Sequence, residues 1–204
     1  LSATEPTTNT MLWLTRARYG AFFNDDMSVN HDNLLNTLTF VNNLVNVDKL
    51  IDPASLNMKD TEVDGKLLAG SSSFMVAAVA YNERIDDPEL SQIIGKGKAI
   101  LVPGSDAAKS ATFALPEGLG IPKYSENKEA AKKFIDWYTA PDTQIKLHSE
   151  KGNMPTSNVA LDKMMSEGTL KNGETVIAQT AFIQSPFPGG IPSWYNEMSN
   201  SVYN

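Results

Sequence analysis

The 204-residue sequence contains no cysteine and only two histidines, His31 and His148. The absence of cysteine excludes disulfides, thiolate nucleophiles, iron–sulfur clusters and cysteine zinc sites. The two histidines lie far apart along the chain. A catalytic triad or metal site would therefore have to be built from one of them and from residues of other types. Cysteine content alone does not indicate a cellular compartment.

Basic residues and long apolar runs are also scarce. The chain has 17 Lys and Arg against 24 Asp and Glu, a formal net charge of −7. Because phosphate backbones are bound by clustered Lys and Arg, nucleic acid is excluded as a partner, and attraction to anionic lipid is disfavoured. The longest apolar run, Phe74 to Tyr81, is far shorter than the roughly 18 residues that would suggest a membrane span.

The remaining composition is that of a globular protein, with 41% hydrophobic and 20% charged residues. Apolar spacing predicts a helix that Asn30 caps and that carries Leu34, Leu38, Val41 and Val45 on one face. Residues 1–10 form a polar lead-in before a partly helical segment, Met11 to Phe23. Further helices are predicted at Met58–Leu68, Pro88–Ile94, Asn127–Tyr138, Pro141–Gly152, Ser157–Met165, Val176–Ile183 and from Trp194 onward.

Short apolar segments between these helices predict strands. Ala99–Val102 is expected to be a buried strand, and Leu119–Ile121 a short one. Phe74–Tyr81 is apolar on all sides, which predicts burial, although periodicity alone leaves strand and helix both open. The sequence therefore predicts a helix-rich α/β fold without internal repeats.

Catalytic patterns are weak. No glycine-rich phosphate loop, nucleophile elbow or HExxH motif is present. Asp25, Asp26, His31 and Asp32 can be drawn as a metal cluster, but His31 and Asp32 fall at a predicted helix start, where an acidic residue favours the helix dipole. We therefore expect no cofactor, no metal and no enzymatic activity.

The block from Gly118 to Leu161 carries a family resemblance. It reads GLGIPKYSENKEAAKKFIDWYTAPDTQIKLHSEKGNMPTSNVAL. It resembles the extracellular solute-binding proteins of bacterial ABC importers, in their carbohydrate-binding, maltose-binding-protein-like branch. Three other segments agree in order: Tyr19–Leu44, Asp64–Gly70 and Pro192–Tyr195.

The resemblance implies a periplasmic-binding-protein-like two-lobe fold of type II, only partly represented in this chain. Family members are considerably longer, so we expect a fragment lacking the N-terminal half. Residues 1–110 and 166–204 would form the C-terminal lobe, and 111–165 the returning segment of the N-terminal lobe. The hinge crossings would lie near 105–115 and 156–166.

The same resemblance implies the function. We expect a monomeric substrate-binding component that takes a sugar or oligosaccharide into an inter-lobe cleft and delivers it to ABC permease subunits. Its location would be extracytoplasmic, either periplasmic or as a cell-surface lipoprotein. The alternatives are the same fold binding a polyol, a glycerol phosphate ester or a peptide, or a carbohydrate-active enzyme whose carboxylates the spacing does not reveal.

Three groups of residues are predicted to contact ligand. Trp194 and Tyr195 offer aromatic faces for stacking on a pyranose, or they anchor the last helix in the core. Ser72 and Ser73 offer hydroxyls beside Phe74, or they form a turn that leads into a buried segment. Glu117 can hydrogen-bond sugar hydroxyls, or it is a solvated loop carboxylate.

Overall fold

The computed structural model describes residues 6–106, 110–114, 118–187 and 190–203, and the structural statements below concern these residues. Their secondary structure is helical. None of these helices is both long and apolar enough to cross a bilayer. In chain order they are α1 (Pro6–Arg18), α2 (His31–Asn46), a 3-10 helix (Pro53–Asn57), α3 (Asp60–Leu68), α4 (Tyr81–Arg84), α5 (Lys128–Thr139), α6 (Pro141–Lys151), α7 (Asn158–Ser166), α8 (Gly173–Thr180) and α9 (Tyr195–Tyr203).

Local signals at the helix ends explain most of these boundaries. The Asn30 side chain accepts a hydrogen bond from the Asn33 backbone N–H at 3.0 Å, and the Ser157 hydroxyl caps α7 in the same way. Pro141 occupies the first turn of α6, where its missing N–H costs nothing. The predicted starts of α2, α6 and α7 are therefore confirmed.

Other boundaries differ from the prediction. Helix α1 begins at Pro6, inside the predicted polar lead-in, and its polar residues Thr8 and Thr15 are buried. Helix α8 begins at Gly173, three residues before the predicted Val176. Residues 88–94 form turns instead of the predicted helix.

The predicted strands are absent from the described residues, where only two isolated bridges occur, Phe23 with Val29 and Thr112 with Ile183. Ala99–Val102 forms no strand: Ile100 is 62% exposed, and the Val102 N–H donates to the Gln179 side chain. Leu119–Ile121 likewise lies outside any ladder. A strand needs a neighbour to satisfy its backbone groups, and no described segment forms a backbone ladder with these residues.

The expectation of burial for Phe74–Tyr81 is also wrong. Phe74 is 82% exposed, Val76 49% and Val79 40%. The segment is irregular until Tyr81 opens α4. An apolar sequence shows what a segment can bury, whereas burial itself requires a facing surface.

The chain divides into two compact units. Unit 1 comprises Leu1–Val76, Ile100–Ala114 and Ala178–Asn204, and unit 2 comprises Ala77–Ala99 and Leu115–Ile177. The predicted lobes, 1–110 with 166–204 and 111–165, concern the whole two-lobe fold of the longer family members, and they stay a prediction. Residues 77–99 belong to unit 2 because Glu83 and Asp86 contact side chains of that unit, His148 and Lys171.

Unit 1 has a hydrophobic core with three phenylalanines, formed by Met11, Leu12, Phe22, Phe23 and Phe187. Helix α1 packs on α2 and on α9. Buried hydroxyls join these helices in pairs, Thr37 to Thr15 at 2.8 Å and Ser199 to Thr8 at 2.9 Å. Polar groups buried in this way stabilise only while they stay paired, so the bonds fix how the helices align.

Unit 2 is built around a small apolar group and one buried histidine. Met164 and Ala160 of α7 are fully buried, and His148 of α6 is 4% exposed. The imidazole Nδ1 lies 3.2 Å from the Asn153 carbonyl oxygen, and Nε2 lies 3.4 Å from Glu83 Oε1. These contacts tie α4 and the end of α6 together.

Two glycines allow a matched test of backbone conformation. Gly152 ends α6 with φ +72°, a left-handed conformation that is strained for any residue with a Cβ. Gly65 lies inside α3 with open space around its Cα. We expect Gly152→Ala to lower the free energy of unfolding by about 1 kcal/mol, and Gly65→Ala to raise it by about 0.5–1 kcal/mol. Urea denaturation of both variants measures the difference, and equal effects would contradict it.

An acid-sensitive ion pair lies in unit 2. The Lys171 ammonium donates to Asp86, as does the Gly95 backbone N–H, and these bonds hold the pKa of Asp86 below its ordinary value. The stabilisation is therefore present at neutral pH and is lost as the pH falls through the lowered pKa.

We expect Asp86→Asn to lower the melting temperature at pH 7, with the gap to the wild type closing below about pH 4, the range of an ordinary aspartate. Melting curves across pH 2–8 measure this. Asp48→Asn is the control, because the Asp48 side chain makes no hydrogen bond within the described part of the chain. A gap that stays constant with pH would contradict the assignment.

Candidate functional site

Trp194 stands immediately before α9 and is only partly covered. Its indole is 37% exposed, and its ring meets that of Phe23 edge-on with centroids 5.7 Å apart. Phe23 is 6% exposed and belongs to the core of unit 1. One edge of the indole is therefore fixed by the core while another part of the ring stays open to solvent.

The open part of Trp194 faces a shallow depression of about 500 Å³. We call it the Trp194 depression; its lining residues are Asp26, Met27, Ser28, Val29, Trp194 and Met198. Four of the six come from the turn that follows the core residue Phe23, and the other two from the start of α9. The depression therefore lies within unit 1.

Short contacts hold the turn beside Trp194. Phe23 bridges Val29, and the Asn24 N–H donates to the Ser28 carbonyl at 2.9 Å. Asp26 Oδ1 accepts from the Ser28 N–H at 2.9 Å and from the Ser28 hydroxyl at 2.5 Å. These hydrogen bonds lower the pKa of Asp26. The depression thus combines an indole face with a carboxylate that stays ionised.

Such a surface suits a ligand with an apolar face and polar edges. An exposed indole binds flat apolar surface, and oriented carboxylate and hydroxyl groups accept or donate hydrogen bonds at its rim. Among the described residues no three side chains of the metal-ligating types come together. Asp25, Asp26, His31 and Asp32, which the sequence allowed as a metal cluster, therefore do not form a group that could hold a metal ion.

Tyr195 is packed into the core of unit 1. Its ring meets Phe187 in a T-shaped contact at 5.2 Å, and its hydroxyl donates to Asn9 Oδ1 at 3.5 Å. Tyr195 does not line the Trp194 depression. These contacts match the alternative in which Tyr195 anchors the last helix, and its contact with ligand stays a prediction.

The turn after α3 carries the second predicted group. The Ser72 hydroxyl donates to the Phe74 carbonyl at 3.0 Å, and Ser73 is exposed. The Phe74 ring is 82% exposed, so it is not packed against Trp194 or Tyr195. The two predicted groups are both in unit 1, but they do not form one packed cluster. Glu117 lies outside the described residues.

The sequence does not identify Met27, Ser28, Val29 or Met198 as residues of this site, and it suggests Asp26 only as a metal ligand. No motif marks them, because the turn and α9 are separated by more than 160 residues along the chain. The one usable signal is the turn-forming Asn24-Asp25-Asp26, which predicts a loop but not what faces it.

Comparison with solved structures shows the fold. A maltose-bound MalE3 structure from T. maritima matches with a TM-score of 0.80 at 22% identity, over 99% of this chain and 52% of that chain. The chain thus spans about half the length of that protein and has part of the same helix-rich, two-lobe type II fold, as predicted. No curated protein matches the sequence.

The family follows from the sequence match. Residues 3–145 match the family described as bacterial extracellular solute-binding protein, and this is well over half of the chain. The match runs through α1, the turn beside Trp194 and α2 to the start of α6. The chain belongs to the bacterial extracellular solute-binding protein family.

Proposed function

We propose that this chain is the ligand-holding part of an ABC importer's substrate-binding protein, and that it binds a sugar or oligosaccharide. The observation that carries the proposal is the partly exposed Trp194 indole beside the ionised Asp26 in one depression. Family membership supports solute binding. The structurally similar MalE3 is described as maltose-bound, which supports a sugar as the solute.

The chemistry is recognition without reaction. The apolar C–H face of a pyranose stacks on the Trp194 indole, while hydroxyls at the ring edge donate to the Asp26 carboxylate. Removal of apolar surface from water supplies affinity, and the oriented hydrogen bonds supply selectivity. No bond is made or broken.

The rest of the mechanism follows from the family's organisation. Sugar binding biases two lobes toward a closed form, and ABC permease subunits recognise that form. In this proposal residues 1–110 and 166–204 belong to one lobe and 111–165 to the other. The protein acts as a monomer outside the cytoplasm, in the periplasm or as a surface lipoprotein. Tyr195, Phe74, Ser72, Ser73 and Glu117 remain proposed further contacts.

A thermal-shift panel on the natural gene product tests the solute class. Neutral mono- and disaccharides are run beside a polyol, glycerol 3-phosphate and a short peptide, with a hydrolysis assay on the same sugars. A ligand at one hundred times its Kd stabilises the folded state by about 2.7 kcal/mol. We expect a melting shift with a neutral sugar and no hydrolysis. A shift only with glycerol 3-phosphate or the peptide, or turnover of a sugar, would overturn the proposal.

A further inference from the structure

Unit 1 contains a second cavity, distinct from the Trp194 depression and more enclosed. Its volume is about 200 Å³. We call it the Arg16 cavity. The lining residues that matter chemically are Trp13, Arg16, Phe22, Asp25, Phe113 and Gln184.

Three separate elements position this lining. Trp13 and Arg16 lie one turn apart on α1, so both side chains reach the same side of the helix. Asp25 follows the core residue Phe23 in the turn. The third element is the pair of segments joined by the bridge between Thr112 and Ile183, and these segments carry Phe113 and Gln184.

That bridge is held by two backbone hydrogen bonds. The Thr112 N–H donates to the Phe182 carbonyl at 3.2 Å, and the Gln184 N–H donates to the Thr112 carbonyl at 3.0 Å. These bonds hold the backbone next to Phe113 and Gln184, the residues that follow Thr112 and Ile183 in the chain. Backbone hydrogen bonds therefore hold the segments that carry two of the cavity's lining residues.

The polar groups of the cavity are not used by the fold. Within the described residues the Arg16 guanidinium makes no ion pair and no hydrogen bond, and the Asp25 carboxylate makes none either. Arg18, two residues further along the chain, does have a partner, because its guanidinium lies over the Phe40 ring at 4.0 Å. Arg16 thus presents uncommitted donors, and Asp25 uncommitted acceptors, beside aromatic walls.

We propose that the Arg16 cavity binds one neutral pyranose ring, as a subsite separate from the Trp194 depression. The proposal rests on the proposed function and extends it. Aromatic walls accept the apolar face of the ring, Arg16 donates to hydroxyl or ring oxygens, and Asp25 accepts from hydroxyls.

Size and charge select this ligand class. A volume of about 200 Å³ corresponds to about seven water molecules in liquid water, and it lies below the roughly 300–1,000 Å³ of pockets for drug-sized ligands. One sugar ring is therefore the expected occupant. The lining holds one cation and one anion, so a phosphate or carboxylate on the ligand would gain from Arg16 but be repelled by Asp25.

Calorimetric titration of the natural gene product with D-glucose, maltose and D-glucuronate tests the proposal. We expect Arg16→Gln and Asp25→Asn each to weaken binding of the neutral sugars at least about tenfold, where tenfold is 1.4 kcal/mol. Arg84→Gln is the matched control, because Arg84 lies in unit 2 with its guanidinium over the Tyr81 ring, and its Kd should equal that of the wild type. Melting curves verify that each variant is folded; Arg16→Met replaces an unfolded Arg16→Gln, Asp25→Ser replaces an unfolded Asp25→Asn, and each should weaken binding in the same way.

Fluorescence identifies the occupied site when the three tryptophans of this chain, Trp13, Trp137 and Trp194, are replaced one at a time. We expect a sugar-induced emission change that is reduced in Trp13→Phe and persists in part in Trp194→Phe. Trp137→Phe, in unit 2, should leave the change intact.

The outcomes separate this subsite from the proposed function. Sugar binding that is weakened by substitutions at Trp194 but not at Arg16 or Asp25 overturns the subsite and leaves the proposed function standing. Tighter binding of D-glucuronate than of D-glucose overturns the neutral-ligand assignment. If the wild type binds no sugar at all, the proposed function fails and the subsite fails with it.

Discussion

Replacing Trp194 by alanine is expected to weaken sugar binding by at least about tenfold. Stacking on an indole contributes on the order of 1–2 kcal/mol, by analogy with aromatic and cation contacts, and 1.4 kcal/mol is one decade in Kd. The substitution also removes the edge-on contact with Phe23, so stability should fall by about 1 kcal/mol. Calorimetric titration of the natural gene product together with melting curves measures both quantities.

The two numbers distinguish a ligand contact from a core anchor. A core anchor would show a large loss of stability with nearly unchanged affinity in the molecules that remain folded. Trp137→Ala is the control, since Trp137 is a 56% exposed tryptophan of unit 2 whose indole meets only α5 neighbours among the described rings. A Trp194→Ala variant with normal affinity and a much lower melting temperature would defeat the proposal.

Among the substitutions proposed here, Phe23→Ala should lower the free energy of unfolding the most. The side chain is 6% exposed and meets the rings of Phe22, Phe187 and Trp194 at 4.8, 5.5 and 5.7 Å. Removing a buried phenyl ring costs about 3–5 kcal/mol, from lost transfer free energy and from the cavity that remains. This is a large part of the 5–15 kcal/mol of a typical protein. Urea denaturation gives the free energy of unfolding.

Phe74→Ala is the matched control for this substitution. The same side chain is removed from a site that is 82% exposed, so the free energy of unfolding should change by less than about 0.5 kcal/mol. Should Phe23→Ala fail to fold, Phe23→Leu keeps most of the volume and should cost less. Equal losses at positions 23 and 74 would show that Phe23 is not the core residue described above.

The sequence predicts the helices of this fold better than it predicts strands. Helices α2, α6 and α7 carry their start signals in Asn30, Pro141 and Ser157, and these act within one turn of the chain. Such signals act locally, so they do not depend on which segments pack against the helix. The strand predictions at 99–102 and 119–121 failed because pairing depends on a second segment, which local patterns do not contain.

The candidate site shows the same limit. The sequence shows that positions 194 and 74 are aromatic. It does not show that Trp194 packs against the core whereas Phe74 is exposed. Trp194 rests on Phe23 because α9 packs on α1, a contact between the two ends of the described chain. Phe74 lies in an irregular segment that no described element covers.

By itself the sequence determined the helix-rich class, the lack of cysteine, and the resemblance that the family match confirms. These depend on composition, on local hydrogen bonds and on motif order, which are properties of the chain alone. The tertiary structure alone decided that Asp26 and Ser28 line one depression with Trp194 and that Arg16, Asp25, Phe113 and Gln184 line one cavity. The physical reason is that burial and site formation are contacts between distant segments, and the free energy of those contacts depends on which surfaces the packed core brings together.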